Sequence, residues 1–422
     1  MTEVRDLREG DSMPESASVA LDPAVVRDVR AIVERVRTEG DAALVDLTAR
    51  FDGADVSGRI FIERGEIEAA AAAVPHNLCS ALESMGERLR DLHSRQVPRE
   101  WEAEARGVRY GERVKPLASA GCYVPGGRAS YPSTVLMTAV PAKVVGVARV
   151  VLCTPPAADG SVPAPVLCAA LIAGVDEVYR VGGAQAVAAL AFGTESIPRV
   201  DKIVGPGNVW VTAAKREVYG VVGIDSLAGP TELVVVADSS ADPAVLAVDL
   251  VAQAEHDPLA RTTLVSLDEA LPPMVLSALE REIAESPRRD VVESSMGHAV
   301  VVLVASEDQA AEVVNGIAPE HLQVVTRDPR GFLEKARYYG AAFLGPHTPV
   351  SFGDYGVGSN HVLPTMANAR FSSGLRAADF VTVSSVVEAS AGSGAGLGPE
   401  VEAVAVAEGL AAHARASEIR RS

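Results

Sequence analysis

Glu320 and His321 stand side by side in the stretch NGIAPEHLQVVT, which begins at Asn315. Both are proton carriers, yet neighbours on a helix point about 100° apart and neighbours on a strand point to opposite faces. Only an element end or a tight turn lets both face one substrate. Pro319 disfavours a helical Ala318 and can start such a turn at Glu320. A neutral imidazole suits removal of a hydroxyl proton, and a carboxylate with a raised pKa suits activation of water.

Three more clusters carry chemistry. In ADPAVLAVDLVAQAEHDP, a helix opened by Asp242-Pro243 is expected to bury Val245, Leu246 and Val248, while Asp249, Gln253 and His256 recur at i, i+4 and i+7. That stripe reads either as a solvated face or as a pair, Gln253 and His256, converging on a metal. A place at the carboxyl side of the sheet would favour the metal. In SFGDYGVGSNHVLPT, Asp354 and His361 lie among Gly353, Gly356 and Gly358, a pattern open to both a plain turn and a ligand loop. In AEGLAAHARA, Glu408 and His413 are five apart, about 140° around a helix, so a break at Gly409 or a helix end is needed to bring them together. Four of the eight histidines (His256, His321, His361, His413) therefore sit in polar clusters, and imidazole with oxygen donors suits a divalent metal, zinc first. No H-E-x-x-H spacing occurs, which argues against a zinc protease.

The elements that must position these groups can be read from rhythm. A chain of 422 residues suggests two or three domains with ample apolar cores. The first 117 residues read as mostly helical: Asp22 caps a helix with Pro23 at its first position and Gly40 at its end, and another helix covers about 77–96. From Ala118 short β-branched runs (GCYVP, ARVVLC, DEVYRV, DKIVG, GIDSL) alternate with alanine-rich stretches, the signature of a parallel sheet with helical crossovers. A second series follows, ELVVVAD, TTLVSL, AVVVLVA, LQVVT and AAFLG. The fold class is thus α/β, with two incomplete Rossmann-like units over 118–230 and 231–366. The helical region 1–117 packs in part with the second unit, and 367–422 forms a C-terminal tail. In that tail ASAGSGAGLGP reads as a flexible or turning connection before a last helix from Pro399 to about Ser417.

Neither G-x-G-x-x-G nor G-x-x-x-x-G-K-[ST] is present, so the pattern alone does not establish a dinucleotide. The turns YVPGG, RVGGAQA and VGPGN each follow a strand and precede a helix, where free N–H groups favour an anion such as a pyrophosphate. Lys plus Arg total 38 against 56 for Asp plus Glu, a formal charge of -18 that repels nucleic acid and anionic lipid. The opening MTEVRDLREGDSM has no apolar signal core, and no run of about eighteen apolar residues could span a bilayer. Cys79, Cys122, Cys153 and Cys168 form no C-x-x-C pair, so neither a disulfide framework nor a thiolate zinc site is expected and a reducing cytoplasm fits.

Taken in order, GCYVPGGRASYPSTVLMTAVPAKVVGV, VGGAQAVAALAFGT, VGPGNVWVTAAKR, AGPTELVVVAD, AQAEHDP, APEHLQV, GDYGVGSNHVLPT and AEGLAAH resemble the histidinol dehydrogenase family over nearly the whole chain. The resemblance implies oxidation of L-histidinol through the aldehyde to L-histidine with two NAD, one zinc per subunit, and a homodimer. It implies zinc ligands at Gln253, His256, Asp354 and His413, substrate contacts at these four and at Thr231, His321 and Glu408, and NAD contacts at Tyr123, Gln185 and Asn208. Glu320 and His321 would be the two bases. The site would be shared between subunits, with His413 supplied by the other chain's tail. Thr231 stands where serine is equally expected, and Cys122 and Cys153 look reactive in this context although the chemistry needs no thiol. The alternatives are a sibling NAD dehydrogenase acting on another small polyol, such as a sulfonated diol, and a binding protein without activity. The retained AEGLAAH and the filled catalytic positions argue against both.

Overall fold

The alternation of β-branched runs and alanine-rich stretches becomes two parallel sheets, because a parallel strand needs a helical crossover to reach the next one. The structure, a computed structural model, describes residues 3–14, 21–126, 130–390 and 392–420. Its strands are β1 (Glu3–Asp6), β2 (Trp101–Ala105), β3 (Val108–Pro116), β4 (Ser119–Tyr123), β5 (Arg149–Thr154), β6 (Glu177–Arg180), β7 (Lys202–Val204), β8 (Gly223–Ile224), β9 (Glu232–Ala237), β10 (Arg261–Ser266), β11 (Val300–Leu303), β12 (His321–Val325), β13 (Ala341–Leu344) and β14 (Val381–Ala389).

The first sheet runs β6-β5-β4-β7-β8 and the second β1-β11-β10-β9-β12-β13, all parallel. Counting strands within each unit, both have the doubly wound order 3-2-1-4-5, and the second gains β1 on its outer edge. Helices cover both faces of each sheet. Leu89, Leu136 and Leu167 fill one side of the first sheet, and Val36, Leu47 and Leu190 the other. Leu246 and Val275 lie on one side of the second, and Val314 and Phe332 on the other.

The helix Pro23–Glu39 starts as its sequence predicts, with the Asp22 carboxylate accepting from the Ala24 N–H at 2.7 Å. The stretch before residue 118, read as mostly helical, also holds strands: β2 and β3 form a separate antiparallel sheet with β14 from the far end of the chain. β2 and β14 have mostly exposed side chains and β3 buries only Gly111, so no buried face imposes an alternation on the sequence. The tail differs from expectation as well. ASAGSGAGLGP is not a loose connection: past Ala391, which lies outside the described residues, it forms a helix, Ser393–Ala407, with Pro399 inside it. A second helix, Ala411–Glu418, follows, and the break falls at Gly409 with φ 75°, a backbone shape that glycine alone adopts without strain.

β12 is placed by its neighbours. Its start lies between β9, paired His321 to Leu233, and β13, paired His321 to Ala341. Gly340 presses on this start, since an added Cβ there would lie 2.5 Å from the Glu320 carbonyl oxygen. Gly340→Ala is therefore expected to cost about 1–3 kcal/mol, the usual scale of overpacking in a close-packed interior, read as a lower urea midpoint at unchanged slope. A wild-type midpoint would show that the two strands can part there without cost.

Candidate functional site

In an open parallel sheet, ligands bind at the switch point, where the strand on one side and the strand on the other send their connections to opposite faces. Here the switch points are β4/β7 and β9/β12. A cavity of about 1410 Å³ joins them, reaching from Tyr123 and Gly205 at the carboxyl ends of β4 and β7 to Thr231, Glu320 and His321 at the amino ends of β9 and β12. The second unit thus offers its amino edge, opposite to the carboxyl side that would have favoured a metal on the Asp242-capped helix. The reason is the crossover itself: the helix Pro243–Ala254 runs back along the sheet after β9 and delivers Gln253 and His256 to the edge where β9 began.

Glu320 and His321 do face the same place. The helix Glu307–Ile317 ends in Ala318, whose φ of 52° and ψ of 62° put it in the left-handed region, and Pro319 then leads directly into the strand. One residue of β9 holds both groups. The Glu232 N–H donates to Glu320 Oε2 at 3.0 Å, and the Glu232 carbonyl lies 3.1 Å from His321 Nδ1. The Thr231 hydroxyl also donates to Glu320 Oε2, while Gln253 Nε2 donates to that hydroxyl at 2.5 Å. Because a carbonyl can only accept, His321 Nδ1 carries the proton and a neutral ring keeps its lone pair on Nε2.

Both groups are buried, Glu320 at 6% and His321 at 4% exposure, and burial works against either charge. It pushes the Glu320 carboxyl up to about 7, against the Thr231 and Glu232 hydrogen bonds that lower it, with the Asp354 charge adding to the rise. It pushes the His321 imidazole below its ordinary value, so the ring is neutral at working pH. Oε1 of Glu320 is left free of the bonds that fix Oε2.

Gln253, His256 and Asp354 line the same cavity. Since Gln253 Nε2 is spent on Thr231, its Oε1 is the atom left for a metal, which is the right donor for an amide ligand. Asp354 ends the helix Val350–Asp354, and its carbonyl meets His361 Nδ1 at 3.1 Å, while His361 Nε2 meets the Thr134 hydroxyl of the first unit at 3.1 Å. His361 thus ties the two units together across the cavity. Burial holds it down at about 4. The Asp249–Gln253 stripe is not a solvated face: Asp249 and Gln253 are buried, Gln323 Nε2 of β12 donates to Asp249, and Val245 and Val248 are exposed. A carboxylate with a partner across the sheet outcompetes a valine for the inner face.

Glu408 and His413 do not reach this cavity. Both are exposed, the first just past Ala407 and the second on Ala411–Glu418, and among the described residues no three His, Cys, Asp or Glu side chains stand close enough together to hold a metal. One chain brings an amide, an imidazole and a carboxylate to this cavity, donors of types that zinc accepts.

Tyr123, Gln185 and Asn208 lie where the glycine-rich turns converge. The Gly183 N–H donates to the Tyr123 hydroxyl at 3.2 Å. Asn208 Oδ1 caps the helix Val209–Val218, accepting from Trp210 N at 3.0 Å and Val211 N at 3.2 Å. The turns leave no room for side chains: a Cβ on Gly205 would sit 2.0 Å from the Tyr123 carbonyl, and one on Gly182 would sit 2.4 Å from Pro155 Cβ. Such a bare backbone cradle suits a cofactor that must come close to main-chain N–H groups. The last glycine of YVPGG, Gly127, lies outside the described residues. Cys122 and Cys153 are not reactive groups here, since both are fully buried and burial drives their thiols well above the ordinary value.

Two doubly wound units share one cavity, with a buried carboxyl–imidazole pair at one switch point and a glycine cradle at the other, which makes this an α/β protein built to hold ligands between its two sheets. The histidinol dehydrogenase family model matches residues 16–421. A histidinol dehydrogenase of Synechococcus sp. is 47% identical over 406 residues, covering 95% of this chain and 94% of its own length. One from Rhizobium meliloti is 50% identical over 396 residues, covering 93% and 91%. The crystal structure of histidinol dehydrogenase from Elizabethkingia anophelis superposes with a TM-score of 0.94 at 32% identity, covering 99% and 98%. The chain belongs to the histidinol dehydrogenase family.

Sequence reading missed Glu232, whose only signal was a lone carboxylate opening the apolar run ELVVVAD. Its side chain accepts from the Met366 N–H at 3.1 Å, and burial beside Glu320 pushes it up to about 7. A carboxyl that binds its proton more tightly when folded favours folding at low pH, and that advantage is lost as pH rises through about 7. Glu232→Gln keeps an acceptor for Met366 and removes the charge. It is expected to raise the unfolding free energy by roughly 1–3 kcal/mol at pH 8 and by much less at pH 5. Denaturant titrations at the two pH values check this, and equal effects at both would refute it.

Proposed function

We propose that the chain oxidises L-histidinol through L-histidinaldehyde to L-histidine, the last step of histidine biosynthesis, as a cytoplasmic homodimer. The observation that carries this reading is the buried Glu320–His321 pair, two bases of different kind held by one residue of β9 in a chain of this family. The first half-reaction must take a proton from the alcohol, and the neutral His321 ring has its Nε2 lone pair free to accept it. The second must add water to the aldehyde. Glu320 can take a proton from that water through Oε1 while Thr231 and the Glu232 N–H hold Oε2.

NAD is the electron acceptor in both halves, and Tyr123, Gln185 and Asn208 would contact it across the glycine cradle. Gln253, His256 and Asp354 would hold one zinc per subunit, with His413 of the partner subunit as the fourth ligand. When bound, zinc supplies a clamp for the nitrogen donors of histidinol, with polarisation of the hydroxyl secondary. Thr231 and His321, and Glu408 of the partner subunit, would complete the substrate contacts. The exposed tail supports this exchange. Val401, Val404, Val406 and Leu410 present apolar surface to solvent in the tail that carries Glu408 and His413, and a second copy of the chain would cover it. Four free cysteines and, among the described residues, no helix long and apolar enough to cross a membrane fit the compartment.

Two experiments test the reading. Glu320→Gln should retain oxidation of histidinol to the aldehyde level and slow aldehyde oxidation by roughly 10²-fold or more, the usual scale of a lost general base. In the wild type the aldehyde step should also decline as pH falls below about 7, where Glu320 takes up a proton. Equal slowing of both halves in Glu320→Gln would end the division of labour. For the shared site, His413→Ala and Glu320→Gln chains should each give homodimers inactive in the full reaction. A tagged heterodimer of the two contains one site with both wild-type residues, so up to about half of wild-type activity should return. No recovery would mean that each site is built within one chain.

A further inference from the structure

Behind the VGPGN turn lies a charged pair that the proposed chemistry does not use. Lys215, on the helix Val209–Val218, and Asp225, just past β8, have side chains only 4% and 5% exposed, with Lys215 Nζ 2.6 Å from Asp225 Oδ1. Between them they take both backbone groups of Gly205: its N–H donates to Asp225 Oδ2 at 2.7 Å, and its carbonyl accepts from Lys215 Nζ at 2.5 Å. Asp225 Oδ1 accepts a further bond from the Ser226 N–H at 2.7 Å. Gly205 itself has φ 117° and its Cα lies against the Tyr123 carbonyl, so its position fixes how the Gly205–Asn208 backbone meets the cavity wall. Asp225 belongs to that wall, whereas Lys215 stands behind it.

Burying an ion pair costs desolvation that its attraction barely offsets, so such a pair is weak evidence for stability and calls for another reason. Asp225 alone would set a negative charge against a cofactor that carries a diphosphate. Lys215 cancels that charge and at the same time clamps the turn from behind. We infer that Lys215 and Asp225 are positioning residues for the cofactor: the pair holds the Gly205–Asn208 turn in its receiving shape and neutralises the wall on which the cofactor lies. This rests on the reading that the cavity takes NAD.

The test compares the wild type, Lys215→Met, Asp225→Asn and the double variant, each checked for folding by circular dichroism, with NAD and L-histidinol affinities measured separately by calorimetry. Lys215→Met leaves Asp225 unpaired beside the anion and should raise the Kd for NAD by about tenfold or more, the scale of a truncated buried charge pair, and the Kd for histidinol by far less. In turnover the loss should fall on the KM for NAD more than on kcat. The double variant should bind NAD more tightly than Lys215→Met, since the stranded charge is gone. Hydrogen exchange of the Gly205 amide should quicken in every variant. If Lys215→Met does not fold, Lys215→Gln, which likewise leaves Asp225 without its cation, carries the same test through NAD affinity and Gly205 exchange. Folded variants that bind NAD like the wild type, or that weaken NAD and histidinol alike, would overturn the positioning role while leaving the NAD reading in place. A wild type that binds no NAD would remove that reading and this inference with it.

Discussion

The pairing of β9 with β12 is the interaction on which the site depends. Through it one residue, Glu232, offers its N–H to Glu320 and its carbonyl to His321, and so fixes the orientation of the carboxylate and the tautomer of the imidazole together. A backbone group of a buried strand cannot rotate away, which makes it a firmer anchor than any side chain. The same strand start carries Thr231, which links Glu320, the proposed water-activating base, to Gln253 of the proposed zinc set. A shift of β12 by one residue would turn both bases to the wrong faces.

The low-dielectric setting follows from the same geometry. Placing two carboxyls, Glu232 and Glu320, at the buried edge of one sheet raises both to about 7, while the imidazole beside them is lowered. Acid and base strengths are thus drawn toward each other by burial, which is what lets a carboxylate act as a base near neutrality. The cost is borne by the fold, because each buried carboxyl disfavours its own ionisation.

Much of this was legible in the sequence, for reasons that differ by element. The ten strands β4–β13 were readable because parallel strands buried on both faces appear as continuous β-branched runs, and the helix Pro23–Glu39 because its cap and first-turn proline are local signals. β2, β3 and β14 were not, since they have no buried face to impose a period. The helix through ASAGSGAGLGP runs against the preferences of its own glycines and proline, so no local rule could find it. At the site, the clusters around Gln253, Glu320 and Asp354 were visible as unusual residues in apolar surroundings. The burial of Asp249 was not, because its partner Gln323 lies on another strand, and nothing local separates buried Lys215 from its exposed neighbour Arg216.

The three-stranded sheet outside the two units ties β14, near the end of the chain, to β3, more than two hundred residues earlier, and β1 closes the edge of the second sheet against β11. The first α/β unit has all five of its strands in one continuous stretch, so its sheet can pair before the second unit is made, while Val362, Leu375 and Phe380 complete its core later. The outer strand of the second sheet is made first and must wait for Val300–Leu303, and the antiparallel sheet must wait for the last part of synthesis. Loop closure over such distances is slow, and a strand edge left open meanwhile invites pairing with the wrong chain. Placing glutamates and arginines along β2 and β3, where WEAEA faces VRYGERVKP, keeps that waiting edge charged and soluble until its partner arrives.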